Sequence, residues 1–352
     1  MFVYTVAIFY ISKTTPITPH EAKLLFASND IVNYFMVLGQ SMVSGFIGFR
    51  IFFIFFGFLS IILFYYLSKS YFKKQNDAYT STIIFMLLPG IITGSIMSNI
   101  AIVVLPLVLL FVLMYEKKQF IFLPIIMLIL FFIHDASIIF FIALFIYGLN
   151  YKDKRLLVLS GLFLIIVLIM QQGIDIGGRP SSHFVDIFGQ YATLFSPLVF
   201  LYFFYTLYRI LLREKKTLLW YISFTALAFS LLLSIRQRIH ISDFAPYVTI
   251  SIILMLDIFN NSLRVRLPQF KKKYKLGFNI IIASLVFSAM IIFLHQIMFY
   301  FNSNPKRYFA NRVYEPYKLA NELKIKGINC YDSKSSREQY QLRYYNIMSC
   351  SE

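Results

Sequence analysis

Two pairs of ionisable side chains stand out in an otherwise apolar sequence. His134-Asp135 interrupts the run FFIHDASIIF, and His20-Glu21 precedes an amphipathic stretch that also contains Asp30. Ionisable groups are costly in hydrocarbon, and those that persist usually face a cavity or a functional site. An imidazole or a carboxylate can act as a general base toward a hydroxyl group. We therefore take Glu21, His20 and Asp30 as candidate catalytic residues.

The sequence also contains cationic residues that could bind an anion such as a phosphate. Three potential cations, Arg236, Arg238 and His240, lie within five residues of one another. A guanidinium can hold a phosphate with two parallel hydrogen bonds. Arg50 could do the same, or it could snorkel to the headgroups or pair with an acid. Arg179 lies in GGRP, a run more typical of a turn than of a phosphate-binding loop, and completes the set of candidates.

Membrane-spanning helices must position these residues. The chain has 352 residues, of which 59% are hydrophobic and 14% charged, too few polar residues to cover a soluble domain of this size. Repeated apolar stretches of spanning length indicate an all-α polytopic membrane protein. The net charge of +17 does not indicate a nucleic-acid partner, because 18 of the 33 Lys and Arg lie in five short loops between apolar runs. These basic loops are Lys69–Lys74, Lys117–Lys118, Lys152–Arg155, Arg209–Lys216 and Arg264–Lys275.

Placing the basic loops in the cytoplasm sets the number of spans. The segment 119–151 lies between two such loops and would be roughly 50 Å long as one helix, whereas the hydrocarbon core is roughly 30 Å thick. Two spans, 119–133 and 137–150, return the chain to the cytoplasm, so His134-Asp135 forms the outer turn between them. Counted in this way the chain has about eleven spans, with the N-terminus inside and the C-terminus outside. The other nine are 1–11, 47–68, 80–94, 99–115, 156–171, 197–212, 217–235, 244–259 and 277–300.

With this topology the unusual polar residues collect on the outer face of the membrane. The first outer loop, 13–46, carries all three candidate catalytic residues. Asn99, His134 and Asp135 occupy two tight outer turns and are further candidates. Their simplest interpretation is structural, because Asn is a favoured helix cap and polar residues are expected in a solvated turn.

The polar end of the chain forms a separate predicted region. We expect residues 1–300 to form the transmembrane domain and residues 301–352 a small extracytoplasmic α/β tail, with a helix at 315–326 and a strand-like INCYD. Nine Lys and Arg in this tail argue against an outside location, which follows only from the five basic loops. Cys330 and Cys350 could form a disulfide or remain free thiols, and neither belongs to a metal-binding cluster.

The first 120 residues carry a recognisable order of features. A short first span is followed by PHEAKLLF in an outer loop, by an interfacial helix and by a span that begins GFRIFF. This order resembles the membrane glycosyltransferases of the protein-mannosyltransferase and aminoarabinose-transferase type, which have the GT-C fold. Glu21 falls where that family has its Glu, whereas His20 takes the place of its Asp. Ser98-Asn99 replaces the second acid that opens the fourth span in many members.

The resemblance implies a GT-C-like helical bundle in a bacterial inner membrane, with its active site facing the periplasm. Such an enzyme would take a sugar from a polyprenyl-phosphate donor, invert the anomeric centre and deliver the sugar to a lipid or glycan acceptor. An acid of the first loop would deprotonate the acceptor. No residue pattern in the sequence indicates a cofactor, and whether the protein requires a divalent cation is left open.

Two other functions are weighed against this one. An O-antigen or polysaccharide polymerase or ligase would also use outer-loop arginines, but its large loop would come late in the chain. A non-catalytic transporter or flippase would bury charges within its spans and contain broken helices and repeats. The spans here hold few ionisable residues, with Asp257 and His295 near the ends of theirs.

Overall fold

The fold is built almost entirely from helices whose apolar faces cannot be exposed to water. The computed structural model describes residues 2–170, 183–297, 310–333 and 335–350, so Arg179 lies outside the described residues. Within those ranges the chain has no strand, only an isolated bridge between Cys330 and Met348. The helices are α1 Phe2–Thr14, α2 Pro19–Ala27, α3 Ile31–Met42, α4 Ile51–Tyr71, α5 Gln75–Met86, α6 Pro89–Ile96, α7 Ile100–Glu116, α8 Leu123–Ile133, α9 Ser137–Tyr151, α10 Lys154–Ile169, α11 Phe184–Phe195, α12 Pro197–Arg213, α13 Leu218–Ser234, α14 Ala245–Val248, α15 Ile252–Val265, α16 Pro268–Phe293, α17 Asn311–Ile325 and α18 Ser336–Tyr344.

Several of these helices have the length and composition of membrane spans. Three are long and apolar enough alone, namely Gly48–Tyr71, Ala245–Val265 and Pro268–Phe293. Two further candidates are helix pairs that bend, α5 and α6 by 59° and α11 and α12 by 105°. In each pair the second helix begins at a proline, which cannot continue the hydrogen-bond ladder of the first. The remaining apolar helices are shorter, and the count of eleven spans stays a prediction.

The chain divides into two compact units that interrupt each other in sequence. The first contains Met1–Phe55, Thr93–Asn99 and Met290–Glu352, and the second contains Phe56–Ile92 and Ile100–Ala289. The tail therefore belongs to the same unit as the first loop, and the predicted boundary at residue 300 stays a prediction. The described part of the tail holds α17 and α18, and the expected strand is represented only by the Cys330–Met348 bridge.

In the first unit the predicted interfacial stretch forms two helices instead of one. It breaks at Ser28–Asp30, where the Asn33 side chain donates to the carbonyls of Leu24 and Leu25 and so closes the end of α2. Tyr34 and Leu38 on α3 are exposed, as expected for an apolar face that contacts lipid. The opposite face packs closely on the Gly48 backbone. A Cβ atom added at Gly39 would collide with the carbonyl oxygen of Gly48.

In the second unit an aromatic core packs between α7, α9, α13 and α14. Phe140 stacks on Tyr247 at 5.8 Å between ring centroids and meets Phe111 edge-on at 5.0 Å. All three side chains are fully buried. This packing anchors α14, and with it the segment that precedes α14, against α9.

Candidate functional site

The most distinctive feature of the first unit is a buried ion pair between Glu21 and Arg50. Both side chains are completely inaccessible to solvent. Arg50 Nε donates to Glu21 Oε1 at 2.8 Å and Nη2 donates to Oε2 at 2.7 Å, the fork-to-fork geometry that Arg and carboxylate favour. The alternative that Arg50 pairs with an acid is therefore the observed one.

The local sequence of α2 fixes the Glu21 carboxylate. Thr18 is the N-cap residue, and its Oγ1 accepts a hydrogen bond from the Glu21 backbone N–H at 3.2 Å. Glu21 Oε2 in turn accepts from the Thr18 backbone N–H at 2.9 Å, which completes a capping box. Pro19 takes the first helical position, where its missing N–H costs nothing.

The remaining donors of Arg50 bind the C-terminal end of α1 and the residues that follow it. Nη1 donates to the carbonyls of Ser12 at 3.0 Å and Thr15 at 2.7 Å, and Nη2 donates to the carbonyl of Pro16 at 3.0 Å. A helix end leaves such carbonyls without partners, and its dipole favours a cation. All five N–H groups of the guanidinium are thus in use. No donor remains for a phosphate, which corrects the prediction that Arg50 binds the donor phosphate.

A backbone amide completes the coordination of Glu21. The Ser98 N–H donates to Glu21 Oε1 at 3.0 Å, and the Ser98 hydroxyl donates to the Phe49 carbonyl at 3.0 Å. Ser98 replaces an acid in the sequence, and its role as a backbone donor leaves no signature in residue types. Burial alone would raise the pKa of the Glu21 carboxyl, but the Arg50 charge and the hydrogen bonds from Arg50, Thr18 and Ser98 hold this pKa below its usual range.

The other two candidate catalytic residues lie on the surface of the first unit. His20 precedes Glu21 on the first turn of α2, and its side chain is exposed. Asp30 is the exposed N-cap residue of α3 and accepts a hydrogen bond from the Ser28 hydroxyl. Asn99 is half-buried and directly precedes α7. Glu21 is thus enclosed, whereas His20 can reach a ligand without any change in the ion pair.

The tail packs on the loop that carries the ion pair. The Gln341 side chain on α18 donates to the Ile17 carbonyl at 2.8 Å, one residue before the capping box. Tyr344 stacks on Phe46 with ring centroids 5.9 Å apart and meets Phe49 edge-on at 5.6 Å. A disulfide joins Cys330 to Cys350 and closes the end of the tail, which decides between the two alternatives left open by the sequence.

In the second unit three predicted outer segments converge. His134 Nδ1 lies 3.0 Å from the Tyr247 hydroxyl, and its Nε2 lies 4.0 Å from Asp243 Oδ1 with no hydrogen-bond partner among the described residues. The His183 backbone N–H donates to the Ser234 carbonyl at 3.1 Å. The turn at His134, the start of α11 and the segment between α13 and α14 therefore meet at one end of this unit.

Burial sets the ionisation of two groups at this end. It lowers the pKa of His134 to about 4, so the imidazole is neutral near pH 7. It raises the pKa of Asp243, although His240 and the Ser242 hydroxyl act in the opposite direction. Asp135 is exposed in the turn beside His134. The His134 side chain is thus buried with its Nδ1 beside the Tyr247 hydroxyl, and the structural interpretation of His134-Asp135 as a turn between spans stays a prediction.

The predicted cationic cluster lies in the segment that follows α13. Arg236, Arg238 and His240 are all exposed, whereas Ile239 between them is buried. Neither arginine forms a salt bridge with any residue that the structure describes. Buried Ile239 anchors this segment to the protein, and the side chains of Arg236, Arg238 and His240 remain exposed. Across the described ranges no group of three or more His, Cys, Asp and Glu is arranged to hold a metal ion.

The helices define an all-helical membrane protein with a GT-C-like bundle, as the sequence predicted. The fold is similar to that of ArnT from Cupriavidus metallidurans, an aminoarabinose transferase solved in the apo state, with a TM-score of 0.56. The two chains are 15% identical, and the likeness covers 98% of this chain and 73% of that one. At this identity the likeness shows the fold, and the function must be argued from the site. No family model and no curated protein matches the sequence.

Proposed function

We propose that the protein is an integral membrane glycosyltransferase that moves a sugar from a polyprenyl-phosphate donor to a cell-envelope acceptor. The observation that carries this proposal is the likeness to ArnT, which extends over 98% of the chain. The acceptor is a lipid or glycan hydroxyl. Its oxygen attacks the anomeric carbon, the bond from that carbon to the phosphate oxygen breaks with inversion, and the phosphate leaves with the electron pair.

Within this proposal the adjacent residues His20 and Glu21 have different roles. Glu21 was predicted as the base, but its two oxygens already accept four hydrogen bonds and its pKa is lowered, both of which oppose proton transfer. We assign Glu21 and Arg50 to positioning the first loop. His20, exposed on the same helical turn, is the better candidate for accepting the acceptor proton. Asp30 is a second candidate on the same loop.

We assign binding of the donor phosphate to the exposed cations of the second unit. Arg236, Arg238 and His240 can offer charge-assisted hydrogen bonds to the departing phosphate as its negative charge develops. Arg179 is retained in this set from the sequence alone. If a divalent cation takes part, the donor phosphate would be its natural ligand.

We also propose that the first loop and the tail face the exterior of a bacterial inner membrane. The tail carries the Cys330–Cys350 disulfide, and such bonds persist in oxidising compartments. Because α18 contacts the first loop through Gln341, both segments must lie on the same side of the membrane. The polyprenyl donor would present its sugar on that side.

A gene deletion followed by mass analysis of polyprenyl-linked sugars and surface glycans tests the proposal. Loss of one sugar from a surface molecule, restored by the wild-type gene but not by a His20→Ala variant, is the expected result. Accumulation of an undecorated polymer unit would favour the polymerase or ligase instead.

One observation favours the transporter or flippase as a second candidate. The pairs α5/α6 and α11/α12 are broken helices, a feature of transporters. The breaks themselves hold Leu87-Leu88 and Ser196, not buried charges. Unchanged glycan composition together with an altered sidedness of a labelled polyprenyl-phosphate sugar would support this alternative and contradict the transferase.

A further inference from the structure

A stripe of four residues begins just before α13 and continues along the helix. Trp220, Phe224 and Ala228 follow one another at intervals of four residues and share one face of α13, and Lys216, two residues before the helix, extends the stripe at its N-terminal end. The Lys216 ammonium lies over the Trp220 ring, 5.3 Å from its centroid. Trp220 stacks on Phe224 with ring centroids 4.6 Å apart and planes inclined by 13°. The stripe passes from a cation through two aromatic rings to a small side chain.

This stripe forms the wall of a cavity on the surface of the second unit. The cavity has a volume of about 240 Å³ and is lined by the stripe together with Ile146 of α9 and Tyr221, Thr225 and Phe229 of α13. Apart from Lys216, Tyr221 and Thr225, the lining side chains are apolar, and Ala228 is the smallest of them. A linear apolar chain fits this shape better than a compact polar ligand does.

The charges around the Lys216 end are positive. Arg213 and Lys215 are exposed nearby, and Glu214, the acid between them, is engaged by Arg209 at 3.4 Å. An ammonium with further cations close by in sequence suits a phosphate, and a basic end of a membrane helix attracts anionic lipid.

We propose that this cavity binds one anionic phospholipid, with an acyl chain along Trp220, Phe224 and Ala228 and the headgroup phosphate on Lys216. A zwitterionic headgroup adds a cation close to its phosphate, which repels Lys216 and the basic residues beside it. The selectivity for an anionic headgroup therefore comes from Lys216, and the shape of the cavity alone would accept either lipid.

The sequence offers a specific probe, because Trp220 is its one tryptophan. The experiment reconstitutes the full chain in nanodiscs of unlabelled phosphatidylcholine and titrates in phosphatidylglycerol brominated on its acyl chains, or brominated phosphatidylcholine. Quenching of Trp220 fluorescence reports lipid in this cavity. We expect half-maximal quenching at a mole fraction about fivefold lower for the anionic lipid, since one Lys near the surface contributes about 1 kcal/mol.

Two variants separate the proposed site from general surface charge. Lys216→Gln should bring the anionic lipid to the same half-maximal mole fraction as phosphatidylcholine. Lys215→Gln removes the same charge from the exposed neighbour and should keep most of the preference. Equal quenching by the two lipids in the wild-type protein would overturn the proposal without any variant. An equal loss in both variants would also overturn it, because the attraction would then come from the loop as a whole.

Discussion

In the Glu21–Arg50 pair both side chains are fully buried, and all five guanidinium N–H groups and both carboxylate oxygens form hydrogen bonds. Removing two charges from water costs several kcal/mol for each ion, and this cost is offset only when every donor and acceptor is matched. Here five guanidinium donors and four contacts to carboxylate oxygens meet that requirement. The pair joins the end of α1, the start of α2, the start of α4 and Ser98. It therefore links four separate segments of the first unit.

Glu21→Gln is expected to destabilise the protein strongly. The variant leaves the Arg50 charge buried without a counter-charge, which typically costs about 3–5 kcal/mol. Arg50→Lys should have an effect of similar size, because an ammonium has three donors in place of five. Thermal unfolding of the detergent-solubilised protein measures both, with exposed Asp30→Asn as the control. A Glu21→Gln variant that melts like the wild type but has lost transfer would instead restore Glu21 as the base.

His20→Ala is expected to lose activity without losing stability. The side chain is exposed, so its removal costs little buried surface, whereas loss of a general base lowers the rate by roughly 10²–10⁴-fold. The measurement is the transfer rate per amount of folded protein, compared with Lys23→Ala, an exposed position on the same helix. Equal rates in the two variants would remove His20 from the mechanism.

His134 should make the stability of the protein depend on pH. Its pKa is about 4 when folded, below the ordinary value of about 6.5, so the unfolded chain binds the proton more readily. The stabilisation by neutral His134 is complete above about pH 6.5 and is lost as the pH falls toward 4, with a total of about 3 kcal/mol. Asp243, whose pKa is raised, acts in the opposite direction near the lower limit.

The comparison that isolates this contribution is wild type against His134→Gln. Glutamine can still hydrogen-bond to the Tyr247 hydroxyl but does not titrate. We expect the midpoint of thermal unfolding to fall less between pH 7 and pH 4.5 in the variant than in the wild type. Parallel pH profiles would contradict the assignment of this loss of stability to His134.

At the scale of helices, hydrophobic length predicted more than residue chemistry did. The spans expected at 99–115, 137–150 and 217–235 correspond to α7, α9 and α13 within a few residues. Such segments are predictable because their whole length must be apolar. The break between α2 and α3 was missed because it depends on the Asn33 side chain. This side chain caps α2 by donating to the carbonyls of Leu25 and Leu24, which lie eight and nine residues earlier in the sequence. The role of Ser98 was missed because its contact with Glu21 uses the backbone over a separation of 77 residues.

The Cys330–Cys350 disulfide is expected to stabilise the docking of α18 on the first loop. It closes a separation of 20 residues, and a crosslink of that span constrains the unfolded tail by about 3 kcal/mol. In the double variant Cys330→Ser, Cys350→Ser, trypsin should cut faster at Arg337 and Arg343, which flank Gln341. The wild type treated with reductant should show the same change, and the reductant should not affect the double variant. Unchanged cleavage would mean that Gln341 and Tyr344 dock the helix without the crosslink.

At the scale of the whole chain, two signals of topology oppose each other. The five basic loops place the tail outside, whereas the nine Lys and Arg of the tail itself argue for inside. The contact between Gln341 and Ile17 adds a constraint that neither charge count contains. The tail and the first loop must share one side, so a topology that moves the tail alone is excluded.

Cysteine labelling of intact cells should find the first loop and the tail outside and the basic loops inside. In a Cys330→Ser, Cys350→Ser background, single cysteines replace the exposed residues Lys23, Lys326 and Lys117. A membrane-impermeant maleimide should label the first two positions at once and Lys117→Cys only after permeabilisation. Labelling of Lys117→Cys alone would reverse the topology and remove access to a donor sugar held outside. Labelling at position 23 but not 326 would contradict the docking of the tail on the first loop.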